Sequence, residues 1–407
     1  MQKKHQILRQ TIELEVQGTE GTDYHALSQT VGQWGNHQFP AWMQPILDGL
    51  DDPDLVIQIP RMEVELECSA DTPWEQSLEQ QFPELFRAAL LRAIQADHSR
   101  QHVPERDVDI WLFFLQNGYL PWSADTAVFT AEWEQRVLAA FSKNAFLTKR
   151  LTAVLAQKTA IQRLMRQFSP QFRLKMAQIW QPQLAAFLQQ QPRFWENPGD
   201  ERAFWQTLIQ YPNLQTMAAL QEKMAQRAET PAEQKQNPPK PLDETGVFVE
   251  NAGLVLLHPF LAMLFKHLEL THDNTILDPD KALFLLHFAA TGTTEAQEWE
   301  LVVPKVLCGL PLDYAAPTRV ELTSAAKTEV EELLKSVVEH WGALGNTTPD
   351  GLRDGFLRRK GRLSDSGDTY ILKVEQLGYD MLLEQLPWGI GMIKLPWNQR
   401  LLRTEWV

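Results

Sequence analysis

The sequence contains only two cysteines, Cys68 and Cys308, in 407 residues. Because they lie far apart, they form neither a disulfide framework nor a metal-ligand cluster, and so few cysteines suit the reducing cytoplasm. No apolar run follows the polar N-terminal segment, so we expect no secretory signal peptide. The longest uncharged apolar stretch, 252–265, is shorter than the roughly 20 residues that a membrane span needs. These absences predict a cytoplasmic protein without a membrane span.

The motifs of the common enzyme classes are also missing. The sequence has no Gly-x-Ser-x-Gly, no Walker phosphate loop, no Gly-x-Gly-x-x-Gly and no His-Glu-x-x-His. His258, His267 and His287 lie in apolar segments, and we interpret them as hydrogen-bonded core residues. Glu298 and Glu300 are two residues apart and do not share a helix face, so we interpret them as solvated or ordinary ion-pair partners. The sequence therefore predicts no catalytic residue, no cofactor and no metal.

Acidic residues are absent from one long segment of an acidic chain. The net charge is −14, which argues against nucleic acid as a partner, yet residues 135–195 include no Asp or Glu. Two interpretations stay open: the cations dock onto an acidic partner, or they pair with the acidic remainder of the same chain. The candidate partner residues of this segment are Arg136, Lys143, Lys149, Arg150, Lys158, Arg163, Arg166, Arg173 and Lys175.

Tryptophan recurs near the C-terminal end. Two copies of Leu-Pro-Trp end at Trp388 and Trp397, and Trp406 follows them. Tryptophan is enriched at interface hot spots, but it also fills protein cores. Both interpretations remain open, so these three tryptophans belong to the candidate partner surface.

A proline-rich segment divides the chain. Residues 230–246 contain four prolines and many polar residues, and this composition predicts an extended linker. Alternating apolar residues within 1–105 predict strands beside helices, whereas 106–229, which we call the helical region, has an almost continuous helical pattern. Residues 247–407, the C-terminal domain, combine both patterns. The predicted fold class is α+β and predominantly α-helical, with two globular parts and a few short strands joined by the linker.

Several collinear segments of the C-terminal domain carry a family resemblance. They resemble the contractile injection system tape measure protein family, which accompanies phage-tail-like particles of the antifeeding-prophage and virulence-cassette type. The N-terminal segment 57–66 is similar more loosely. The segments are ENAGLVLLHPFL at 250–261, HFAATG at 287–292, WELVVPKVLCGLP at 299–311, GLRDGFLR at 351–358, GRL at 361–363, LPWGI at 386–390 and KLPW at 394–397.

The resemblance implies a structural role, with tube, baseplate or other particle proteins as partners and an effector as a further candidate. It implies no catalysis and no cofactor. A molecular ruler would be one long helix or a heptad coiled coil, whereas 25 prolines and the strand patterns predict globular modules. Three readings therefore stay open: a protein that sets or initiates tube and sheath assembly, a cytosolic loading chaperone or adaptor, and an enzyme of unrecognised type.

Overall fold

The chain folds into two compact units, Met1–Val108 and Asp109–Val407. It is predominantly helical with a small mixed sheet, which confirms the predicted α+β class. Of the predicted linker, only Leu242 and Gly246 lie within the described residues. The computed structural model describes residues 5, 7, 10–16, 24–50, 55–57, 59, 61–68, 73–95, 100–121, 124, 129–180, 182, 198–211, 217–228, 242 and 246–407.

The first unit is built around two helices joined by aromatic packing. Phe39 of the first helix stacks on Phe82 of the second, with 4.5 Å between ring centroids, and Phe82 stacks on Phe86 at 5.4 Å. Such contacts add to the burial of large aromatic surfaces. In chain order the elements are α1 (Tyr24–Leu50), β1 (Leu55–Ile57), α2 (Trp74–Gln95) and β2 (Arg100–His102), with β1 and β2 antiparallel.

The alternating sequence patterns predicted longer strands than this unit contains. Among the described residues of 55–67, a strand is found only at Leu55–Ile57, and residues 61–68 are not in a strand. Residues 10–16, which also alternate, are not in a strand either. The prediction was wrong for these two segments because alternation gives a residue a strand-like face but does not supply a neighbouring strand with which to pair.

The helical region forms short helices with side-chain caps. Thr130 and Asn144 accept hydrogen bonds from the first-turn amides of Trp133 and Phe146, at 3.3 and 3.0 Å. The almost continuous helical pattern of the sequence does not show that the chain turns at residues 156–157, so residues 145–167 form two helices. The helices are α3 (Val103–Asn117), α4 (Ala131–Lys143), α5 (Ala145–Leu155), α6 (Lys158–Gln167), α7 (Pro170–Trp180), α8 (Pro198–Gln210) and α9 (Met217–Ala228).

The C-terminal domain contains a five-stranded mixed sheet. Its strand order is β3-β6-β7-β9-β8, with β7 and β9 parallel and the other pairs antiparallel. Alternate residues bury one face of this sheet, as Tyr370, Leu372 and Val374 do in β7. The strands are β3 (Val247–Val249), β6 (Gly361–Asp365), β7 (Thr369–Val374), β8 (Met392–Ile393) and β9 (Leu401–Trp406), and a separate hairpin joins β4 (Thr271–His272) to β5 (Thr275–Ile276).

Apolar helices complete the core of this domain. Residues Ala282–Ala290 of α11 (Pro279–Thr291) are all buried, as expected for a helical segment that is apolar on all sides, and Asp278 caps the N-terminus of the helix. The α-helices are α10 (His258–His267), α11 (Pro279–Thr291), α12 (Val302–Leu307), α13 (Ser324–His340) and α14 (Pro349–Leu352); 3₁₀ segments span Ala252–Leu257, Glu298–Leu301, Gly342–Leu344 and Asp380–Gln385, and a π-helical turn spans Arg353–Leu357.

We predict that Gly253→Ala destabilises the protein by about 3 kcal/mol or more. Gly253 lies where the 3₁₀ segment meets the π-helical turn, and an added Cβ would lie 1.7 Å from the backbone oxygen of Phe356. Backbone cannot move aside as a side-chain tip can. The exposed Gly342 is the matched control, because a Cβ there meets nothing within 4 Å. Urea unfolding of Gly253→Ala and Gly342→Ala measures both, and equal losses would contradict the argument.

Candidate functional site

Three charged side chains meet in the interior of the second unit. Glu298, from the 3₁₀ segment before α12, accepts hydrogen bonds from Arg163 of α6 at 2.8 and 2.9 Å. Lys305 of α12 donates to the same carboxylate at 2.7 Å. All three side chains are 0% exposed. We call this arrangement the buried charge cluster.

Backbone carbonyls accept further hydrogen bonds from the two cations. Arg163 also donates to the carbonyls of Leu115 and, at 2.7 Å, of Asp313, and Lys305 donates to that of Leu312 at 2.9 Å. Two cations share one carboxylate, so the cluster carries a formal excess of one positive charge. Burial lowers the pKa of Lys305 to about 8, against the opposing attraction of the Glu298 carboxylate.

Two neighbouring residues fit closely around Glu298. The side-chain amide of Gln167 accepts from the Glu298 backbone N–H at 3.2 Å and donates to the carbonyl of Ala316 at 2.8 Å. Gly118 follows α3 with φ +79°, and a Cβ there would lie 2.3 Å from the Glu298 carboxylate. Glycine is required at this position, both for its left-handed backbone and for the space that the cluster occupies.

The cluster belongs to a broader contact between the helical region and the C-terminal domain. Arg166 lies 3.2 Å from the carboxylate of Asp280. Trp299 makes edge-on ring contacts with Phe114 at 5.4 Å and with Phe129 at 5.1 Å. Residues 109–228 and the C-terminal domain therefore pack as parts of one compact unit.

Two predicted partner residues are interior. Arg163 lies in the buried charge cluster, and Arg173 is buried against Glu201, with hydrogen bonds of 2.6 and 2.9 Å. These two arginines serve internal ion pairs and are not accessible to a partner, which corrects their place in the candidate surface. Arg150 and Arg166 are partly exposed, and Arg150 pairs with Asp109 at 2.6 Å.

The other cations of the segment do lie at the surface. Arg136, Lys143, Lys149, Lys158 and Lys175 are all exposed. Burial raises the pKa of the nearby Glu134 carboxyl, and the charge of Lys175 opposes that rise. The exposed members of the candidate surface are thus mostly lysines, while the buried members are arginines.

The three C-terminal tryptophans are packed into their own domain. Trp388 donates its indole N–H to the carbonyl of Leu256 at 3.1 Å, and Trp397 donates to that of Leu307 at 2.8 Å. Trp406 lies 5.6 Å from the guanidinium of Arg359. These contacts favour the core interpretation of the tryptophans over the hot-spot interpretation.

Two of the three histidines interpreted as core residues are hydrogen-bonded to backbone. The interpretation was wrong for His267, whose side chain is 70% exposed beside Glu329. His287 Nε2 donates to the carbonyl of Glu295 at 3.1 Å, and His258 Nδ1 donates to that of Val255 at 2.9 Å. Burial lowers the pKa of both, that of His287 to about 4. Among the described residues, no group of three or more His, Cys, Asp or Glu side chains is arranged to hold a metal ion. In the same part of the chain, no helix has the length and apolar character of a membrane span.

Sequence reasoning did not find the cluster, although one signal for it was present. Glu298 and Glu300 were interpreted as solvated or ordinary ion-pair partners. Glu298 does form ion pairs, but it is fully buried and is shared by two cations. Lys305 interrupts the apolar run Val302–Leu307, and a lysine is rarely fully buried without a partner. A charged residue inside an apolar run was therefore the available signal for a buried ion pair.

These features define a helix-rich α+β protein whose interior charges serve packing. The chain belongs to the contractile injection system tape measure protein family, whose profile matches residues 4–215 and 200–406. This match confirms the resemblance found in the sequence, and the family suggests a structural role in a contractile injection system. No curated protein and no solved structure matches the chain.

We predict that Glu298→Gln costs about 3–5 kcal/mol of unfolding free energy, because it leaves two buried cations without a counter-charge. Glu332→Gln is the matched control, since Glu332 also accepts from a lysine at 2.7 Å but lies with Lys335 at the surface. An exposed pair of this kind contributes little. Denaturant unfolding of both variants tests the difference, and a small loss for Glu298→Gln would show that the cluster is unimportant for stability.

We predict that His287 makes the fold acid-sensitive. Its pKa falls from 6.5 in the unfolded chain to about 4 in the fold, so the unfolded chain binds more protons between these values. The stabilising contribution is complete above pH 6.5 and is lost as the pH falls through 4. Between pH 6.5 and 4.5 the loss is about 2 kcal/mol.

The measurement compares His287→Gln with the wild-type chain by urea unfolding at pH 6.5, 5.5 and 4.5. His287→Gln should be less stable at neutral pH but should show a flatter pH dependence. His272→Gln, which changes a largely exposed side chain, should keep the wild-type dependence. Parallel curves for wild type and His287→Gln would refute the assignment.

Proposed function

We propose that this protein is a non-catalytic assembly factor of a contractile injection particle. In this proposal it helps to set or initiate the inner tube and sheath through contacts with tube, baseplate or other particle proteins. The observation that carries the proposal is the buried charge cluster, because it binds residues from the helical region and the C-terminal domain into one folded unit.

The cluster argues against a ruler that works as a stretched chain. Extending the second unit would separate Arg163 from Glu298 and would expose a core of apolar helices packed on a sheet. Breaking one partner of a buried ion pair costs about 3–5 kcal/mol, and the exposed apolar surface adds to that cost. A folded initiator or scaffold keeps these interactions, so it avoids the free-energy cost of unfolding inside the tube.

The exposed cations supply a surface for such contacts. Lys143, Lys149 and Lys158 lie in the segment without acidic residues, and the chain as a whole is acidic. Surface charge of one sign guides encounter with a partner of the opposite sign and suppresses wrong partners. We therefore retain the exposed part of the candidate surface as the side on which particle proteins dock.

We predict that particle length does not follow the length of the predicted linker. The experiment inserts or deletes tens of residues within 230–246 and measures particle length by electron microscopy. An equal insertion at residues 366–367, an exposed turn between β6 and β7, is the matched control. Under the proposal every variant that assembles gives particles of normal length, whereas complete removal of the protein abolishes particles.

Three results would contradict the proposal. Length that tracks the linker insertions would establish a ruler that is stretched in the tube. Intact but empty particles after removal of the protein would instead support a loading chaperone or adaptor. Normal, filled particles after removal would show that the protein has no part in assembly.

A further inference from the structure

Helix α5 presents a large aromatic side chain to solvent. Phe146 is 64% exposed, although Leu147, Leu151 and Leu155 of the same helix are buried. A single exposed apolar residue is ordinary in a soluble protein. Phe146 differs from such a residue because cationic residues lie near it in the sequence.

Cationic residues precede and follow Phe146 in the sequence. Phe146, Lys149 and Arg150 have the three- and four-residue spacing of one helix face, and Lys143 ends the preceding helix. Among the described residues, neither Lys143 nor Lys149 has an ion-pair partner. Arg150 is held by Asp109 at 2.6 Å and remains partly exposed.

We infer that Phe146, Lys143, Lys149 and Arg150, the α5 surface, form a docking site for an acidic protein subunit that offers an apolar pocket to the phenyl ring. This inference rests on the proposed function and names the part of the chain that meets the partner. It adds Phe146, which carries no charge and has no place in the basic pattern of the sequence.

The composition of the α5 surface matches the anatomy of a protein interface. Hot spots are central aromatic or arginine side chains in a desolvated pocket, and a polar rim surrounds them. Here the ring supplies the anchor, and the lysines supply the rim and the attraction to an acidic surface. Charge complementarity favours an acidic subunit, because the segment 135–195 has no carboxylate to neutralise these lysines locally.

The chain offers a closely matched control surface. Met263 of α10 is 69% exposed, and Lys266 is exposed three residues further along the same helix. The pair therefore reproduces the apolar and basic spacing of Phe146 and Lys149 on another helix. The double variant Phe146→Ser with Lys149→Glu can be compared with Met263→Ser with Lys266→Glu.

The experiment measures the binding of the full-length chain to individually purified tube and baseplate proteins of its particle by biolayer interferometry. The α5 variant should bind at least about 30-fold more weakly than wild type, as expected for removal of a hot-spot aromatic. The α10 variant should bind like wild type. Both variants should melt with the wild-type transition by circular dichroism, because all four side chains are exposed. Wild-type binding should also weaken as salt is raised.

Each other outcome overturns the inference. If wild type binds a particle protein and the α5 variant binds equally well, the docking site lies elsewhere while the proposed function stands. If wild type binds none of them, the proposed function itself fails. The α5 variant could also keep its binding to particle proteins but lose another interaction. Loss of binding to phosphatidylserine vesicles would assign the surface to lipid, and loss of self-association in sedimentation would assign it to a second copy of the chain.

Discussion

The packing of the second unit depends on a carboxylate that is shared by two cations in a fully buried position. Removing three charges from water costs several kcal/mol for each ion, and the attraction between the charges recovers this cost only with good geometry and further hydrogen bonds. Backbone carbonyls from separate segments supply such further acceptors to Arg163 and Lys305. The helical region and the C-terminal domain must therefore meet in one arrangement, with Gly118 leaving the space that the carboxylate needs.

This constraint bears on how a member of a tape measure family can act. A ruler acts through the contour length of its chain, whereas the second unit is folded into short helices and a five-stranded sheet. The C-terminal tryptophans add to that compactness, because Trp388 and Trp397 donate their indole N–H groups to backbone carbonyls of their own domain. Under our proposal, other subunits bind at exposed helices such as α5, and the folded second unit holds these helices in place.

The local spacing of apolar residues was enough to predict the fold class, but it was not enough to predict which strands pair. Helices such as α13 are amphipathic over many residues, and such spacing is visible in the sequence. The sequence of β8 does not show its partner strand: β8 pairs with β9, which lies between β8 and β7. The break between α5 and α6 was also missed, since residues 156–157 include neither proline nor glycine. Tertiary contacts decide both features, and they are not visible in a local window.

Local sequence also does not show which side chains of the candidate surface are buried. Arg163 looks like any other cation of the basic segment, because its partner Glu298 lies 135 residues away. Among the described cations of the segment, the two buried ones are arginines, and the exposed ones are the four lysines and Arg136, with Arg150 and Arg166 partly exposed. Guanidinium is weakly hydrated and matches a carboxylate with two parallel hydrogen bonds, so it suits the interior, whereas the strongly hydrated ammonium suits the surface. The two interpretations of the basic segment are therefore complementary, since its buried arginines stabilise the fold and its lysines remain available to an acidic partner.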